Sequence, residues 1–329
     1  MKRKIVTNHS KSKLRGLRTV ILSAFLIIGG LVKAQHTTEF EFFDTATPAV
    51  LKAMQTNMEK LFESIHNSYH KGSAGLTIST SYATEDAIKQ LQRLWSTSRF
   101  YCSETEIFQP VLKTPKGMQV RNISVYFEQG GTNADKYQDM VFEFLPDGKI
   151  SDAYIAIAKH QYVNFFKGST SVTDYRLRQL ICGFVEDFRT AYNRKDLSYL
   201  KQVFSDDALI IVGKELKSSG DGLKPLVKYD IIPRDQYLKN LESAFQRNAY
   251  INIKFEEIEV VQQDKSSPVY GVTLRQEWNS STYSDVGWLF LMIDFENEDR
   301  PMIWVRTWQP ISIPRDKVFW PGDFPKIKK

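Results

Sequence analysis

Cysteine is scarce in this sequence, which has only Cys102 and Cys182 among 329 residues. Two cysteines are too few to build the disulfide framework that supports small secreted domains. They fall in different halves of the chain, so a bridge between them would clamp those halves together. The spacing leaves two interpretations open, a single bridge or two partly buried thiols.

A basic excess is missing from most of the chain, although the whole sequence has a formal charge of +6. Eight of the 44 Lys and Arg residues lie in the first 34 positions, which contain no acidic residue. The other 295 residues carry 36 basic and 38 acidic side chains, a formal charge of −2. A nucleic-acid-binding protein needs its basic excess on the folded surface, so this class is excluded.

Long apolar runs are also missing after residue 34, which predicts no membrane span in the mature chain. Before that point, the 14-residue apolar run Thr19–Val32 follows a basic stretch, and Val32 and Ala34 fit a signal-peptidase site. This order predicts a signal peptide cleaved between Ala34 and Gln35, and therefore a periplasmic or secreted protein. The alternative is an uncleaved anchor, but the run falls short of the about 20 residues that span a bilayer.

The spacing of apolar residues in the first half of the chain predicts two helices followed by four strands. A helical period begins after Thr47, which is placed to cap it, with Pro48 at its first position. Its apolar positions are Val50, Met54, Met58, Leu61, Phe62, Ile65 and Tyr69. A second helix capped by Thr84 follows, and then come four alternating segments: Phe100–Lys113, Met118–Glu128, Tyr137–Leu145 and Lys149–Ala158.

The second half repeats this order. A long helix is marked by Leu177, Leu180, Ile181, Phe184, Phe188 and Tyr192. A short helix around Leu197–Phe204 precedes a strand over Ala208–Val212, an inserted loop over Lys214–Pro233 and another helix that starts at Pro233. Four predicted strands end the unit: Tyr250–Gln262, Val269–Asn279, Gly287–Phe295 and Met302–Gln309.

Helices followed by a run of long strands predict an α+β fold, in which helices pack on one face of a bent antiparallel sheet. The polar stretch at 167–171 is predicted to link the two repeats. This divides the chain into a signal peptide at 1–34, an N-terminal domain at 35–166 and a C-terminal domain at 172–310. The tail at 311–329 is too aromatic for a free linker, and we expect it to pack on the second domain or to dock on a partner.

One stretch of the second half resembles a known superfamily. The segment FVEDFRTAYNRKDLSYLKQVFSDDA (184–208) is similar to the opening of the nuclear transport factor 2-like, or SnoaL-like, fold. The closing strands, with YGVTLRQEW (270–278) and WVRTWQP (304–310), resemble it too, and the match covers about residues 172–310. The resemblance implies a sheet folded into a cone around the long helix, and the order of elements in the first half implies tandem cone-shaped domains.

Motifs for phosphate binding, nucleophilic catalysis and redox chemistry are absent from the sequence. There is no Gly-rich phosphate loop, nucleophile elbow or Cys-x-x-Cys, and His160 is the last histidine. A general base in the second half would therefore have to be a carboxylate with a raised pKa. Asp207, beside Asp206, and Asp294 are the candidates, but each is also placed to end a helix or strand by bonding to backbone amides.

A polar and aromatic set on two strands is the better candidate for a site. Alternation predicts that Gln276 and Trp278 point inward, and that Arg306 lies between Trp304 and Trp308 on one face of the last strand. Such an arginine could hold a carboxylate, or it could be a structural partner of Asp294 or Glu277. The candidate ligand-binding residues are Tyr192, Gln276, Trp278, Asp294, Arg306 and Trp308.

No metal or cofactor is predicted. Glu59, Glu63, His66 and His70 fall within about 60° on a helical wheel, a spacing that a divalent metal could use. They lie opposite the Met54–Ile65 stripe, however, where an amphipathic helix places its solvated residues.

Three functions remain in competition. The favoured hypothesis is an exported, non-enzymatic protein that binds an unknown small molecule or protein. The first alternative is a small-molecule lyase, isomerase or hydrolase that uses Asp207 or Asp294. The second is an assembly module, with a homodimer formed through the sheet face, as the resemblance implies.

Overall fold

The computed structural model describes residues 38–129, 132, 136–167, 172, 174–216 and 226–327. The predicted signal peptide and its cleavage site lie outside the described residues. Of the predicted linker at 167–171, the structure describes only Lys167, which ends a helix. The division into two domains stays a prediction.

The first half begins with a strand and two helices that cover a sheet: β1 (Glu39–Phe43), α1 (Pro48–His70) and α2 (Glu85–Thr97). The strands that follow are β2 (Phe100–Tyr101), β3 (Glu106–Pro110), β4 (Leu112–Thr114), β5 (Gly117–Phe127), β6 (Tyr137–Phe144) and β7 (Ile150–Ile155). They form a five-stranded sheet in the order β2-β5-β6-β7, with β4 also on β5, whereas β3 pairs in parallel with β1. Helix α3 (Lys159–Lys167) closes this half.

The second half has longer strands and begins with two helices. Helices α4 (Tyr175–Asn193) and α5 (Leu197–Val203) precede β8 (Phe204–Leu216) and β9 (Leu226–Ile232). Helix α6 (Arg234–Arg247) then leads into β10 (Ile251–Gln262), β11 (Val269–Ser280), β12 (Ser284–Asp294) and β13 (Met302–Pro310). The six strands form one strongly curled sheet in the order β10-β11-β12-β13-β8-β9, in which β8 and β13 are parallel. The predicted α+β fold is confirmed.

The sequence signals explain the first helix and the turn packed against it. The Thr47 hydroxyl accepts from the Val50 amide, and the buried stripe comprises Met54, Met58, Leu61, Phe62 and Ile65. Gly148 ends the predicted turn with φ +85°, and a Cβ there would lie 2.9 Å from that of Ala53. Both its left-handed conformation and its contact with α1 therefore require glycine.

Two sequence predictions about strands are wrong, and one helix was missed. The predicted strand at Phe100–Lys113 is split into β2, β3 and β4, because β3 leaves the main sheet to pair with β1. The predicted loop at Lys214–Pro233 contains the end of β8 and all of β9, while residues 217–225 lie outside the described residues. Its glycines and prolines lie outside β9, which is rich in strand-favouring Val, Tyr and Ile. Helix α3 was not predicted.

A buried ion pair joins the two halves. Arg121 on β5 donates to both carboxylate oxygens of Glu186 on α4, at 2.9 and 2.5 Å, and both side chains are buried. Glu186 also accepts from the Ile157 amide at 2.8 Å. The guanidinium of Arg121 lies 4.0 Å from the centre of the Tyr162 ring. The long helix α4 therefore contacts the first half through a buried ion pair, while its apolar residues pack in a core that also includes Ile157 and Phe165.

Asp152 on β7 makes the stability of the folded protein depend on pH. Burial, followed by the nearby carboxylates of Asp187 and Glu143, raises the pKa of Asp152 to about 7, and Arg194 and Lys116 oppose the shift. A carboxyl group whose pKa is higher in the folded state holds its proton better there than in the unfolded chain. Its contribution to stability is therefore full at low pH and is lost as the pH rises from about 4 to about 7.

We expect Asp152→Asn to remove this pH dependence. The variant should be more stable than the parent by about 1–3 kcal/mol at pH 8, and close to it at pH 4. Urea unfolding at both pH values, followed by circular dichroism, measures the difference. An equal effect of the substitution at pH 4 and pH 8 would contradict the assignment.

The C-terminal tail covers the outer face of the second sheet. Of the two locations predicted for it, packing on the second domain and docking on a partner, the structure shows the first. Phe319, Phe324 and Ile327 pack against the apolar cluster of Val269, Phe290, Met292 and Val305. The Phe324 and Phe290 rings are stacked with their centres 5.5 Å apart. The predicted homodimer through the sheet face remains untested, but in this structure the tail occupies that part of the face.

The two cysteines do not pair with each other. Cys102 and Cys182 are both buried and free, which agrees with the second of the two interpretations. Among the described helices, none combines the length and the apolar character that crossing a bilayer requires.

Candidate functional site

A cavity of about 470 Å³ opens between α6 and the concave face of the second sheet. We call it the C-terminal cavity. Its helical wall contains Tyr237, Asn240, Leu241, Ala244 and Arg247, and its sheet wall contains Val212, Gln276, Trp278, Arg306 and Trp308. This volume and this mixture of aromatic and polar groups are typical of small-molecule sites.

Strand pairing brings residues from β11 and β13 to one wall. Gln276 pairs with Gly287 on β12, while Trp308 and Arg306 pair with Leu289 and Leu291 on the other side of β12. Gly287 leaves the space for the Trp308 ring, since a Cβ at Gly287 would lie 2.6 Å from that ring. The alternation of side chains along each strand predicted that Gln276, Trp278, Arg306 and Trp308 point inward, and the structure places all four on the cavity wall.

Arg306 is the most unusual group in this wall. Its side chain is only 7% exposed, and no described residue forms a salt bridge with it. Its Nε is buried and has no hydrogen-bond partner among the described residues. The guanidinium carbon lies 4.9 Å from the centre of the Tyr237 ring. The arginine is therefore held by an aromatic ring instead of a carboxylate.

Two tyrosines support this arginine. The hydroxyls of Tyr192 and Tyr237 are hydrogen-bonded at 2.6 Å, and the Tyr192 ring meets Trp278 edge-on with centres 6.0 Å apart. Burial opposes the charge of Arg306, but interactions with Tyr237 and Tyr192 outweigh it and raise the pKa of Arg306. The group is thus a permanent cation. Tyr192 lies behind Tyr237 and Trp278 and is not among the residues that line the cavity.

Polar groups near the cavity remain available for a ligand. Gln276 is buried, and its side-chain amide makes no hydrogen bond with any described residue. Arg247 is exposed and has no ion-pair partner within the described part of the chain, whereas Lys214 pairs with Asp230 at 3.1 Å. Asp285 accepts a hydrogen bond from the Tyr283 hydroxyl at 2.5 Å. Among the described lining residues it is the only carboxylate, and there is no histidine.

The structure does not bring Asp294 to this cavity, which corrects its inclusion in the candidate site. Asp294 lies at the end of β12 beyond Leu291, and one of its carboxylate oxygens accepts from the Glu296 amide at 2.9 Å. Asp294 therefore ends the strand by bonding to a backbone amide, which was the alternative to a catalytic role in the sequence analysis. Glu277, the second acid considered for Arg306, instead pairs with Arg275 at 2.7 Å.

The other candidate carboxylates are also elsewhere. Asp206 and Asp207 are both exposed near the start of β8, and Asp206 lies 3.4 Å from Arg234. Trp304 was expected beside Arg306, but the register shift between the Met292 and Ile293 positions interrupts the alternation there. Trp304 does not line the cavity.

Tyr237 is the site residue that sequence reasoning missed. It lies four residues before Leu241, so the helical period could have placed it on the inward face of α6. Its contact with Arg306 could not be predicted, because it depends on how α6 crosses the sheet. Arg247 on α6 was missed for the same reason, whereas Tyr283 and Asp285 were missed because they lie at the turn into β12.

A second cavity, of about 360 Å³, lies between the two halves, and its buried arginine is already hydrogen-bonded to protein. Arg189 in its wall donates to the carbonyls of Ile253 and Ala156 and to the side chain of Gln138. Burial lowers the pKa of Arg189 to about 10. Because each of its three nitrogens already bonds to protein, Arg189 is a structural cation.

The histidine pair on α1 does not form a metal site with its neighbours. The His66 and His70 rings lie 4.2 Å apart. Within the described residues, no group of three or more His, Cys, Asp or Glu side chains is arranged to hold a metal ion.

Comparison with known proteins identifies partial structural likenesses. No protein-family model and no curated protein matches the chain. Bd1075 from Bdellovibrio bacteriovorus matches 49% of this chain at 15% identity and a TM-score of 0.32, and the match spans 47% of Bd1075. Rd1NTF2_04 with long sheet matches 38% of this chain at 14% identity and a TM-score of 0.26, over 96% of its own length.

A third structure is an uncharacterized protein with a cystatin-like fold from Caulobacter vibrioides. It matches 42% of this chain at 15% identity and a TM-score of 0.29, over 89% of its own length. These are partial likenesses of fold. Identity and coverage are low, so the assignment of a function depends on the cavity itself.

Proposed function

We propose that this is an exported, non-enzymatic protein whose C-terminal cavity binds a small organic anion. Arg306 binds the carboxylate or an equivalent acidic group of the ligand, and Trp278 and Trp308 contact its flat apolar body. The observation that carries the proposal is the burial of Arg306 in a cavity wall without a carboxylate partner among the described residues. Export rests on the signal-peptide pattern of residues 1–34.

Electrostatics favour an anion as the ligand. A buried cation without a counter-charge loses its hydration and lowers stability, and an anionic ligand restores the missing interaction. Arginine and a carboxylate can form two parallel hydrogen bonds, which fixes the orientation of the ligand as well as its charge. The Gln276 amide supplies further donors and an acceptor on the same wall.

The composition of the wall argues against acid–base catalysis. The alternative enzyme needed Asp207 or Asp294 inside the cone, and neither residue lines the cavity. The one carboxylate among its described lining residues, Asp285, is hydrogen-bonded to Tyr283. A binding protein needs only the cation, the amide and the aromatic rings.

We expect Arg306→Ala to weaken binding of 2-naphthoate, a flat aromatic carboxylate, by at least about 30-fold, because a buried charge pair is lost. Quenching of tryptophan fluorescence measures this, since Trp278 and Trp308 line the cavity. Arg275→Ala is the matched control. Arg275 is on β11 of the same sheet, but it is paired with Glu256 at 2.5 Å and Glu277 at 2.7 Å and lies outside the cavity.

Neutral 2-naphthamide tests whether the charge matters. It should bind the parent protein far more weakly than 2-naphthoate, and Arg306→Ala should remove most of this difference. Equal binding of both probes to the parent, or unchanged naphthoate binding by Arg306→Ala, would refute the proposal.

A further inference from the structure

Strand β9 forms an exposed apolar edge on the second sheet. It is the last strand in the order β10-β11-β12-β13-β8-β9 and pairs only with β8. Ile231 is 71% exposed and Leu226 67% exposed, which is unusual for side chains of this type on a strand. Within the described residues, no strand or backbone hydrogen bond covers the free edge of β9. Exposed apolar edges of this kind are templates for pairing with another strand.

The sequence of β9 is symmetric in chemical character about Tyr229. Two apolar residues and Lys228 precede it, and Asp230 and two apolar residues follow it, in the order LVKYDII. When two such strands run antiparallel with Tyr229 opposite Tyr229, each Lys228 lies opposite the Asp230 of the other copy. Apolar residues then meet apolar residues on both sides of the charged pairs.

We propose that β9 pairs antiparallel with β9 of a second copy of this chain, with Tyr229 at the two-fold axis. The pairing extends the six-stranded sheets of both copies into one continuous sheet. It places oppositely charged residues directly opposite each other, an arrangement that stabilises a strand pair, whereas like charges there destabilise it. The contact is isologous, so it closes at two copies.

Lys228 and Asp230 lie on the same side of β9, as this pairing requires. Asp230 already contacts Lys228 at 3.0 Å and Lys214 at 3.1 Å, and all three are on the same side of the β8–β9 ribbon. These lysines lower the pKa of Asp230, so it is ionised. In the proposed pairing, each Lys228 lies between its own Asp230 and the Asp230 of the second copy.

The proposed contact is separate from the outer sheet face and from the C-terminal cavity. The tail covers the outer face around Phe290 and Met292, while the edge of β9 is free of described tail residues apart from the contact between Tyr229 and Phe319. No residue of β9 lines the cavity. Dimer formation therefore does not depend on the ligand proposal.

Charge exchange tests the register. The parent protein should show a concentration-dependent dimer in sedimentation-velocity experiments. Lys228→Asp places Asp opposite Asp, and Asp230→Lys places Lys opposite Lys, so each variant should weaken the dimer at least about tenfold. An equal mixture of the two variants should regain it, because every cross-strand pair is then of opposite charge. A parent that is monomeric throughout, or a mixture that stays monomeric, would overturn the proposal.

A disulfide tests the position of the axis. Directly opposite residues in an antiparallel pair have Cα atoms about 4.5–5.5 Å apart, a separation that a disulfide spans. Tyr229→Cys should therefore form a cross-linked dimer on mild oxidation, whereas Leu226→Cys, opposite Ile232 of the other copy, should not. Because Tyr229 also packs on Phe319, a variant with Val227→Cys and Ile231→Cys tests the same register without altering Tyr229. Cross-linking of Leu226→Cys alone would show a different register.

Discussion

Arg121→Met is expected to lower the free energy of unfolding by about 3–5 kcal/mol, because Glu186 would remain buried without its cation. Glu186 has no exposed surface, and after Arg121 is removed its carboxylate still accepts from the backbone amide of Ile157. Because the pair joins β5 to α4, the loss should also weaken the contact between the two halves. Urea unfolding at pH 7, followed by circular dichroism, measures the change.

Two further variants separate the effect of burial from the effect of charge. Arg176→Met breaks the pair between Arg176 and Glu298, which is exposed, and should cost less than about 1 kcal/mol. The double variant Arg121→Met with Glu186→Leu removes both buried charges and should recover most of the lost stability. If the two single arginine variants lost equal stability, the Arg121–Glu186 contact would not be a buried ion pair that stabilises the fold.

Removal of residues 311–329 is expected to lower the free energy of unfolding by at least about 3 kcal/mol and to promote self-association. The deletion takes Phe319, Phe324 and Ile327 from the outer face of the second sheet. Each apolar side chain contributes up to about 1.5–3 kcal/mol when it is fully buried. The deletion also removes the Ile313 carbonyl that accepts from the Trp288 indole at 3.0 Å. Thermal unfolding and size-exclusion chromatography with light scattering measure both effects.

Matched point variants test whether packing of the tail causes this loss. Phe324→Ala removes the ring that stacks on Phe290 and should destabilise the protein by about 1–2 kcal/mol. Trp320 is in the same tail but is 56% exposed, so Trp320→Ala should change stability by less than about 0.5 kcal/mol. A larger effect of Trp320→Ala would mean that the tail is held by other contacts.

The tail deletion also bears on the homodimer predicted through the sheet face. If the uncovered cluster around Phe290 and Met292 associates with a second copy, the truncated protein should form dimers that Lys228→Asp does not disrupt. The β9 contact, in contrast, should remain sensitive to that substitution with or without the tail. The two surfaces can thus be distinguished in one set of sedimentation experiments.

The sequence by itself determined the α+β class and most of the helix and strand positions. Periodicity is a local property. In any helix, the spacing of the Met54–Ile65 stripe places those side chains on one face, and in any strand, Gln276 and Trp278 lie on the same side. For the same reason, alternation was sufficient to predict that Gln276, Trp278, Arg306 and Trp308 point inward, although it failed for Trp304. The predicted orientation of Arg306 and Trp308 was correct because β13 pairs regularly with β12 near its end.

Only the tertiary structure decided which of those side chains meet and what they contact. The crossing of α6 over the sheet brings Tyr237 to Arg306, and the register shift in β13 interrupts the alternation at Trp304. The length of β12 separates Asp294 from the cavity, and the pairing of β9 with β8 turns a predicted loop into an edge strand. These features depend on contacts between residues that are distant in sequence. Local periodicity does not encode such contacts, because it specifies the face of an element but not the element that packs against that face.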